Sequence, residues 1–243
     1  MKVKIKRFNS EKKSFIEEYE TQSINILEAL NDIKEKDDNT LTYRCGCRSG
    51  ICGSCALRVN GVEKLACKTT LNDNDLIEPL KNLPIIKDLI VDVSRETSLI
   101  KETKSHLNTN SNEAINHNDI KKIDIQSNCI LCSSCYSSCP IYDVNDKFQG
   151  PYALSRALRY VDDKKEADKH TILESIQNNG IWDCTLCSAC TFVCPQEIDP
   201  KSDILNLQNI SVQNGFTNPN FNNFNVDFGF DMGDDSGFNP NSF

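Results

Sequence analysis

At 243 residues, with 38% hydrophobic residues and a net charge of −8, the chain has room for one or two domains but is lean in core-forming side chains. The acidic balance argues against a nucleic-acid partner, which would call for a basic face. Thirteen cysteines behind a start with no apolar signal core point to a reducing, cytoplasmic setting. No stretch reaches the roughly 18 apolar residues of a membrane span, so any contact with the cytoplasmic face of a membrane must run through a partner.

In chain order, Val3, Ile5 and Arg7 alternate with Lys4 and Lys6, which predicts a strand over 2–8, and a second strand around 14–19 would pair with it as a hairpin. Ile26, Leu27, Leu30 and Ile33 have helical spacing, predicting an amphipathic helix over 25–36. Asn60-Gly61 signals a two-residue hairpin turn. Residues 76–80 read as a final, edge-type strand stopped by Pro79.

Between the helix and the hairpin, Cys47, Cys52 and Cys55, with Cys67 further on, follow Cys-x4-Cys-x2-Cys…Cys, the plant-type 2Fe–2S spacing. Gly50 and Gly53 sit inside that loop, where a missing side chain serves a tight turn and lets backbone amides approach sulfur. Cys45 has the wrong spacing to Cys52 and is read as a non-ligand. Arg44 and Arg48 carry charge beside the loop, as tuning groups or plain surface residues.

Ile85, Ile86, Leu89, Ile90 and Val93 suggest a connecting helix within 84–104, and the Ser/Asn/Thr-rich stretch after it reads as a linker. Helices are then expected from Pro151, from about 171 to 177, and around 201–212. From 213 to 243 the chain is mostly Asn, Phe, Gly and Asp without a period, a composition expected of a disordered tail. His106, His117 and His170 lie in polar stretches and are expected at the surface.

The strongest signal is a pattern written twice, Cys129/Cys132/Cys135/Cys139-Pro140 and Cys184/Cys187/Cys190/Cys194-Pro195. Each is Cys-x2-Cys-x2-Cys-x3-Cys-Pro, the bacterial-ferredoxin run, in which the fourth cysteine ligates the other cluster when two are present. The expected quartets are therefore Cys129, Cys132, Cys135 and Cys194 on one 4Fe–4S cluster, and Cys139, Cys184, Cys187 and Cys190 on a second. Paired knuckles can also hold zinc, but with much shorter spacers than the one here. The expected fold class is α+β. A plant-type ferredoxin (β-grasp) domain with its connecting helix would span 1–104, a linker 105–119, and a mostly helical two-cluster domain 120–212. No Gly-x-Gly-x-x-Gly occurs, so a flavin or nicotinamide would sit on another polypeptide.

The segments Tyr43–Cys55, Leu65–Thr69, Ile77–Leu80, Leu83–Leu89, Cys129–Cys132, Gly150-Pro151 and Asn179–Cys184 resemble the iron–sulfur subunit of succinate dehydrogenase and fumarate reductase. The resemblance, over about residues 1–212, implies an electron-transfer subunit beside a FAD-containing flavoprotein that interconverts succinate and fumarate. In most of that family the position matching Cys187 is not cysteine and the distal cluster is 3Fe–4S. Here the position is filled, which implies a fourth iron, a lower potential and the fumarate-reducing direction; without Cys187 as a ligand the cluster would be 3Fe–4S. Quinone-linked relatives commonly carry tryptophan beyond the first Cys-Pro and histidine after the cysteine matching Cys184, whereas this chain has Ile141–Val144 and Thr185. The electron partner is therefore open between a quinone, with a membrane anchor subunit, and a thiol, with a separate cysteine-rich thiol-oxidising subunit. A free-standing multi-cluster ferredoxin is the alternative to a subunit.

Overall fold

The computed structural model describes residues 1–9, 11 and 13–219. The amino-terminal part is built on β1 (Lys2–Phe8) and β2 (Ser14–Glu20), paired antiparallel, with α1 (Ile26–Lys36) packed across the sheet. β3 (Ala56–Val59) and β4 (Val62–Leu65) form the hairpin at Asn60-Gly61, both at positive φ as the Asn-Gly signal requires. β5 (Asp75–Glu78) completes a sheet of order β2-β1-β5-β3-β4. β5 is not the edge strand expected from Pro79. It ends one residue before the proline, so all its N–H groups remain free to pair, and it lies in the middle, parallel to β1. Val3, Ile5, Leu57, Val59 and Ile77 face Ile26, Leu27, Leu30 and Ile33 across one core.

Arg7 shares the inward register of Val3 and Ile5 and is buried too. Its guanidinium meets Asp88 at 3.0 Å, Asp38 at 2.5 Å and Glu17 at 2.9 Å, and donates to Thr40. Asp88 also accepts from the amides of Phe8 and Thr42, so the buried carboxylate is hydrogen-bonded as well as paired, which offsets part of the cost of burying its charge.

The helix expected within 84–104 is only half there. Its first half is a small hairpin of β6 (Ile85–Lys87) and β7 (Ile90–Val91), turned at Asp88 with φ +46°; α2 (Ser94–Glu102) follows. Four of the apolar residues that suggested helical spacing are β-branched, so strand geometry wins locally. Residues 105–116 are irregular but anchored: Ser105 is fully buried and donates to Ala153 O, and Glu166 accepts from the amides of Asn108 and Thr109.

The second half is helical: α3 (His117–Ser127), the short α4 (Ser134–Ser137) and α5 (Pro140–Val144), α6 (Pro151–Val161), α7 (Lys169–Ser175), the short α8 (Ala189–Phe192) and α9 (Pro200–Gln213). α3 was not expected. Its signal was a capping box, Asn116 accepting from Asp119 N while Asp119 accepts from Asn116 N. The three histidines are exposed. Of the tail expected over 213–243, residues from 220 onward lie outside the described part, while Phe216 packs against the helical core.

α9 carries a buried acid, Asp203, which accepts from Gln126 of α3 at 2.8 Å. Burial pushes its carboxyl from 3.8 up to about 6. The folded state thus binds this proton more tightly than the unfolded chain, and ionisation above pH 6 costs on the order of 3 kcal/mol. Its place in the first turn of α9 opposes this by only about 0.3–1 kcal/mol. Asp203→Asn keeps an acceptor for Gln126 and cannot ionise. It is expected to melt higher than the parent at pH 7–8, with the two curves converging as pH falls toward 4; thermal melts across that range check it.

Candidate iron–sulfur centres

Three cysteine-bearing segments form the site, and each is shaped by backbone that ordinary residues avoid. In the plant-type loop Arg48, Gly50 and Gly53 take φ of +60°, +79° and +70°. This turns successive amides toward one sulfur: Cys47 Sγ accepts from Ser49, Ile51 and Cys52 N at 3.3–3.4 Å, and Cys52 Sγ accepts from Cys47 N at 3.3 Å. Such a nest of N–H groups suits an anionic sulfur. Hydrogen bonds from the Ser49 side chain and from these amides bring the Cys47 thiol down to about 5.

Cys55 and Cys67 come together from sequence-distant places. Cys67 sits on a single 3-10 turn after β4, held by Asn25, which caps α1 through its side-chain oxygen and donates to Cys67 O at 3.2 Å. The Cys55 and Cys67 sulfurs are 3.4 Å apart, and burial pushes Cys55 up to about 11. Cys45 is exposed and hydrogen-bonds to none of the four sulfurs of this loop.

The two later motifs repeat each other in three dimensions. Leu131 and Ser133 in the first, Leu186 and Ser188 in the second, are all left-handed, with φ between +54° and +67°. Non-glycine residues rarely adopt this conformation, least of all leucine, so its recurrence at matched positions marks one loop used twice. In the second, Leu186 N donates to Cys184 Sγ at 3.4 Å.

Eight of the sulfurs line two separate cavities. Cys129, Cys132, Cys135 and Cys194 line one cavity together with Tyr152 and Ser133. Cys139, Cys184, Cys187 and Cys190 line another with Phe148 and Ile204. Among the described residues no three His, Cys, Asp or Glu side chains converge on a single ion. In a 4Fe–4S cluster each cysteine sulfur grips a different iron, and in a 2Fe–2S cluster only two share one, so the ligands ring a space instead of meeting at a point.

Several details fit such a group. The Ser133 hydroxyl in the first cavity is buried without a partner, and a cluster sulfur there would satisfy it. Burial pushes Cys129 up to about 11, Cys190 up to about 12 and Cys135 well above the usual range. Thiols so placed ionise only when a cation replaces the proton, so cluster binding and thiol deprotonation are coupled.

The three segments touch in one order. The plant-type loop meets the first cavity, with Gly53 against Ile130 and Cys132, and with Gln196, two residues beyond Cys194, donating to Gly50 O at 3.3 Å. α4, which carries Cys135 of the first cavity, packs against α8, which carries Cys190 of the second, and so joins the two. At the ends, Cys47, Cys52 and Cys187 are exposed, whereas none of the Cys129/Cys132/Cys135/Cys194 quartet is.

Contacts absent from the sequence reading lock the halves together. Asn82, at φ +64°, donates to the carbonyls of Tyr136, Ser137 and Cys139 at 3.1–3.2 Å, satisfying the open end of α4. Ser137 donates to the buried Glu63 of β4 at 2.6 Å. A lone asparagine in a loop carries no signal of this in sequence.

A family model described as a 2Fe–2S iron–sulfur cluster binding domain matches residues 2–98, and one described as a 4Fe–4S dicluster domain matches 125–198. The fumarate reductase iron–sulfur subunit of an Escherichia coli strain is 35% identical over 219 residues, covering 84% of this chain and 90% of that one. The mitochondrial succinate dehydrogenase [ubiquinone] iron–sulfur subunit 3 of Arabidopsis thaliana is 33% identical, covering 84% and 73%. A chain of the Mycobacterium smegmatis Sdh1 complex shares the fold, with a TM-score of 0.77 at 19% identity, over 89% of this chain and 97% of that one.

Proposed function

The chain belongs to the family of succinate dehydrogenase and fumarate reductase iron–sulfur subunits, and from that membership we propose a ligand set and a direction for its relay. Cys47, Cys52, Cys55 and Cys67 hold a 2Fe–2S cluster; Cys129, Cys132, Cys135 and Cys194 hold a 4Fe–4S cluster; Cys139, Cys184, Cys187 and Cys190 hold a second 4Fe–4S cluster. When bound, these groups supply one-electron redox chemistry at potentials set by cluster type, hydrogen bonding and exposure. One observation carries the reading: three cysteine nests in contact order, exposed at the two ends and shielded in the middle.

The protein's own part is to bind, orient and insulate. The amides on Cys47 stabilise negative charge at the end nearest Arg44, Arg48 and the exposed Ile51, the face we assign to a FAD-bearing flavoprotein. Burial of Cys135, Cys139 and Cys190 keeps water from the interior sulfurs. The Cys187 end faces the second electron partner. A quinone reached through a membrane anchor is favoured, since the Arabidopsis relative is a succinate dehydrogenase named for ubiquinone; a thiol-oxidising subunit is the other occupant. Among the described residues no helix is long and apolar enough to cross a membrane, so a place at the cytoplasmic face would depend on that anchor.

The test is to isolate the tagged full chain from its native cells under gentle conditions. The expected result is a complex holding a larger flavoprotein that reduces fumarate with an artificial low-potential donor and keeps doing so without quinone. Recovery of the fully loaded chain alone would overturn the assigned partner.

A further inference from the structure

Three glycines of the plant-type loop differ in what surrounds them. A side chain at Gly46 would meet Cys52 Sγ of the same loop at 2.7 Å, and one at Gly50 would meet the flexible Lys68 side chain. Gly53 alone looks across to the other half of the molecule. An added Cβ there would lie 2.8 Å from Cys132 Cβ, 2.9 Å from Ile130 O and 3.1 Å from Cys132 Cα. None of these atoms is the free end of a side chain, so none can swing away. Gly53 is buried, and Ile130 and Cys132 in turn pack against the amino-terminal core.

We propose that Gly53, with the Gln196–Gly50 hydrogen bond beside it, is a positioning residue that sets how closely the Cys47–Cys55 loop approaches the Cys129–Cys135 loop. This rests on the ligand assignment above and goes beyond it: the glycine serves the gap between two centres and not merely the turn around one. Any larger residue must push the loops apart, because the obstacle on the far side is the backbone of a ligand-bearing nest. The separation across which the two centres interact is thus written into one missing side chain.

The test reads that separation without turnover. In the loaded full chain, microwave-power saturation of the reduced 2Fe–2S signal is measured with the neighbouring centre first diamagnetic, then paramagnetic. The parent is expected to show faster relaxation in the second state. Gly53→Ala, with iron and sulfide content and g-values like the parent's, is expected to lose a measurable part of that enhancement, because dipolar relaxation falls steeply with distance. Gly61→Ala has the same backbone sign in a remote hairpin, with only an Arg58 side-chain nitrogen at 3.5 Å from the added atom, and is expected to keep it. Should Gly53→Ala fail to load, Gln196→Ala removes the other tether without backbone strain and is expected to show a partial loss. Full enhancement in a loaded Gly53→Ala, or in Gln196→Ala where that variant is the one read, overturns the proposal. A fully loaded parent with no enhancement overturns the ligand assignment, and the spacing role with it.

Discussion

Replacing Gly150 by alanine is expected to strip the helical half of its clusters while the plant-type centre survives. Gly150 lies at φ +81° and ψ 172°, a region essentially reserved for glycine, where another residue costs about 1–3 kcal/mol. An added Cβ would stand 2.0 Å from Tyr136 Cε1 and 2.5 Å from its Cζ. That ring has nowhere to go. It is fully buried, its hydroxyl donates to Gln149 O at 2.6 Å, and Tyr142 and Tyr152 pack edge-on at 4.8 and 4.7 Å. Overpacking of this kind adds at least another 1–3 kcal/mol, so the total is on the order of 5 kcal/mol, comparable with the whole stability of a small domain.

The damage would reach the clusters directly, because Tyr136 follows Cys135 and lies on the short helix between Cys135 and Cys139, one cysteine from each cavity. The amino-terminal core is a separate cluster of side chains, so the 2Fe–2S spectrum should remain. Iron and sulfide analysis together with the visible spectrum of the full chain checks this. Adding Tyr136→Leu to Gly150→Ala removes the collision but not the backbone strain, and partial recovery of iron is the expected result.

What could be read from the sequence was whatever acts over a few residues. The period of Val3 and Ile5 and the Asn60-Gly61 turn each fix local geometry through sterics, and the structure folds at both as expected; the cysteine spacings act locally too, through metal reach. The stretch 84–93 was misjudged because residues three and four apart in a β-branched run mimic a helical face. Only the left-handed turn at Asp88, itself held by Arg7 from another strand, decides the matter. The central place of β5 was hidden for a related reason: Pro79 is a local signal, whereas pairing with β1 and β3 is a long-range outcome.

The site divides in the same way. The proposed grouping of the sulfurs was legible from spacing, since the exchanged fourth cysteine is a property of the motif. How near the nests lie was not, because Gly53, Gly150 and Asn82 act on partners roughly 80, 14 and 55 residues away in sequence, and single glycines and asparagines have many local uses. The repeated left-handed pairs at Leu131/Ser133 and Leu186/Ser188 were equally silent, because leucine gives no hint of that conformation.

Cys187→Ser is expected to convert the distal centre from four irons to three, turning a silent oxidised spectrum into a strongly paramagnetic one. The backbone around Cys187 repeats that around Cys132, with left-handed residues on both sides, so serine can keep the shape of the loop while its hydroxyl replaces a thiolate that binds iron far better. Cys139 and Cys190 are buried and Cys184 half-buried, and these three stay in place, whereas Cys187 is exposed, so an iron held by it would be the one that solvent reaches. The variant should therefore lose one iron per chain, show a new oxidised signal, and leave the 2Fe–2S and first 4Fe–4S signals unchanged. Its distal potential should rise, since the three-iron form is the more oxidising. If Cys187 is what suits this subunit to a low-potential donor, fumarate reduction by the purified complex should fall in the variant while succinate oxidation with an artificial acceptor is retained. Cys45→Ser should alter none of these signals, because Cys45 takes no part in the sulfur contacts of its loop. A parent protein already showing the three-iron signal at full intensity as isolated would remove Cys187 from the ligand set, and with it the case for the fumarate-reducing direction.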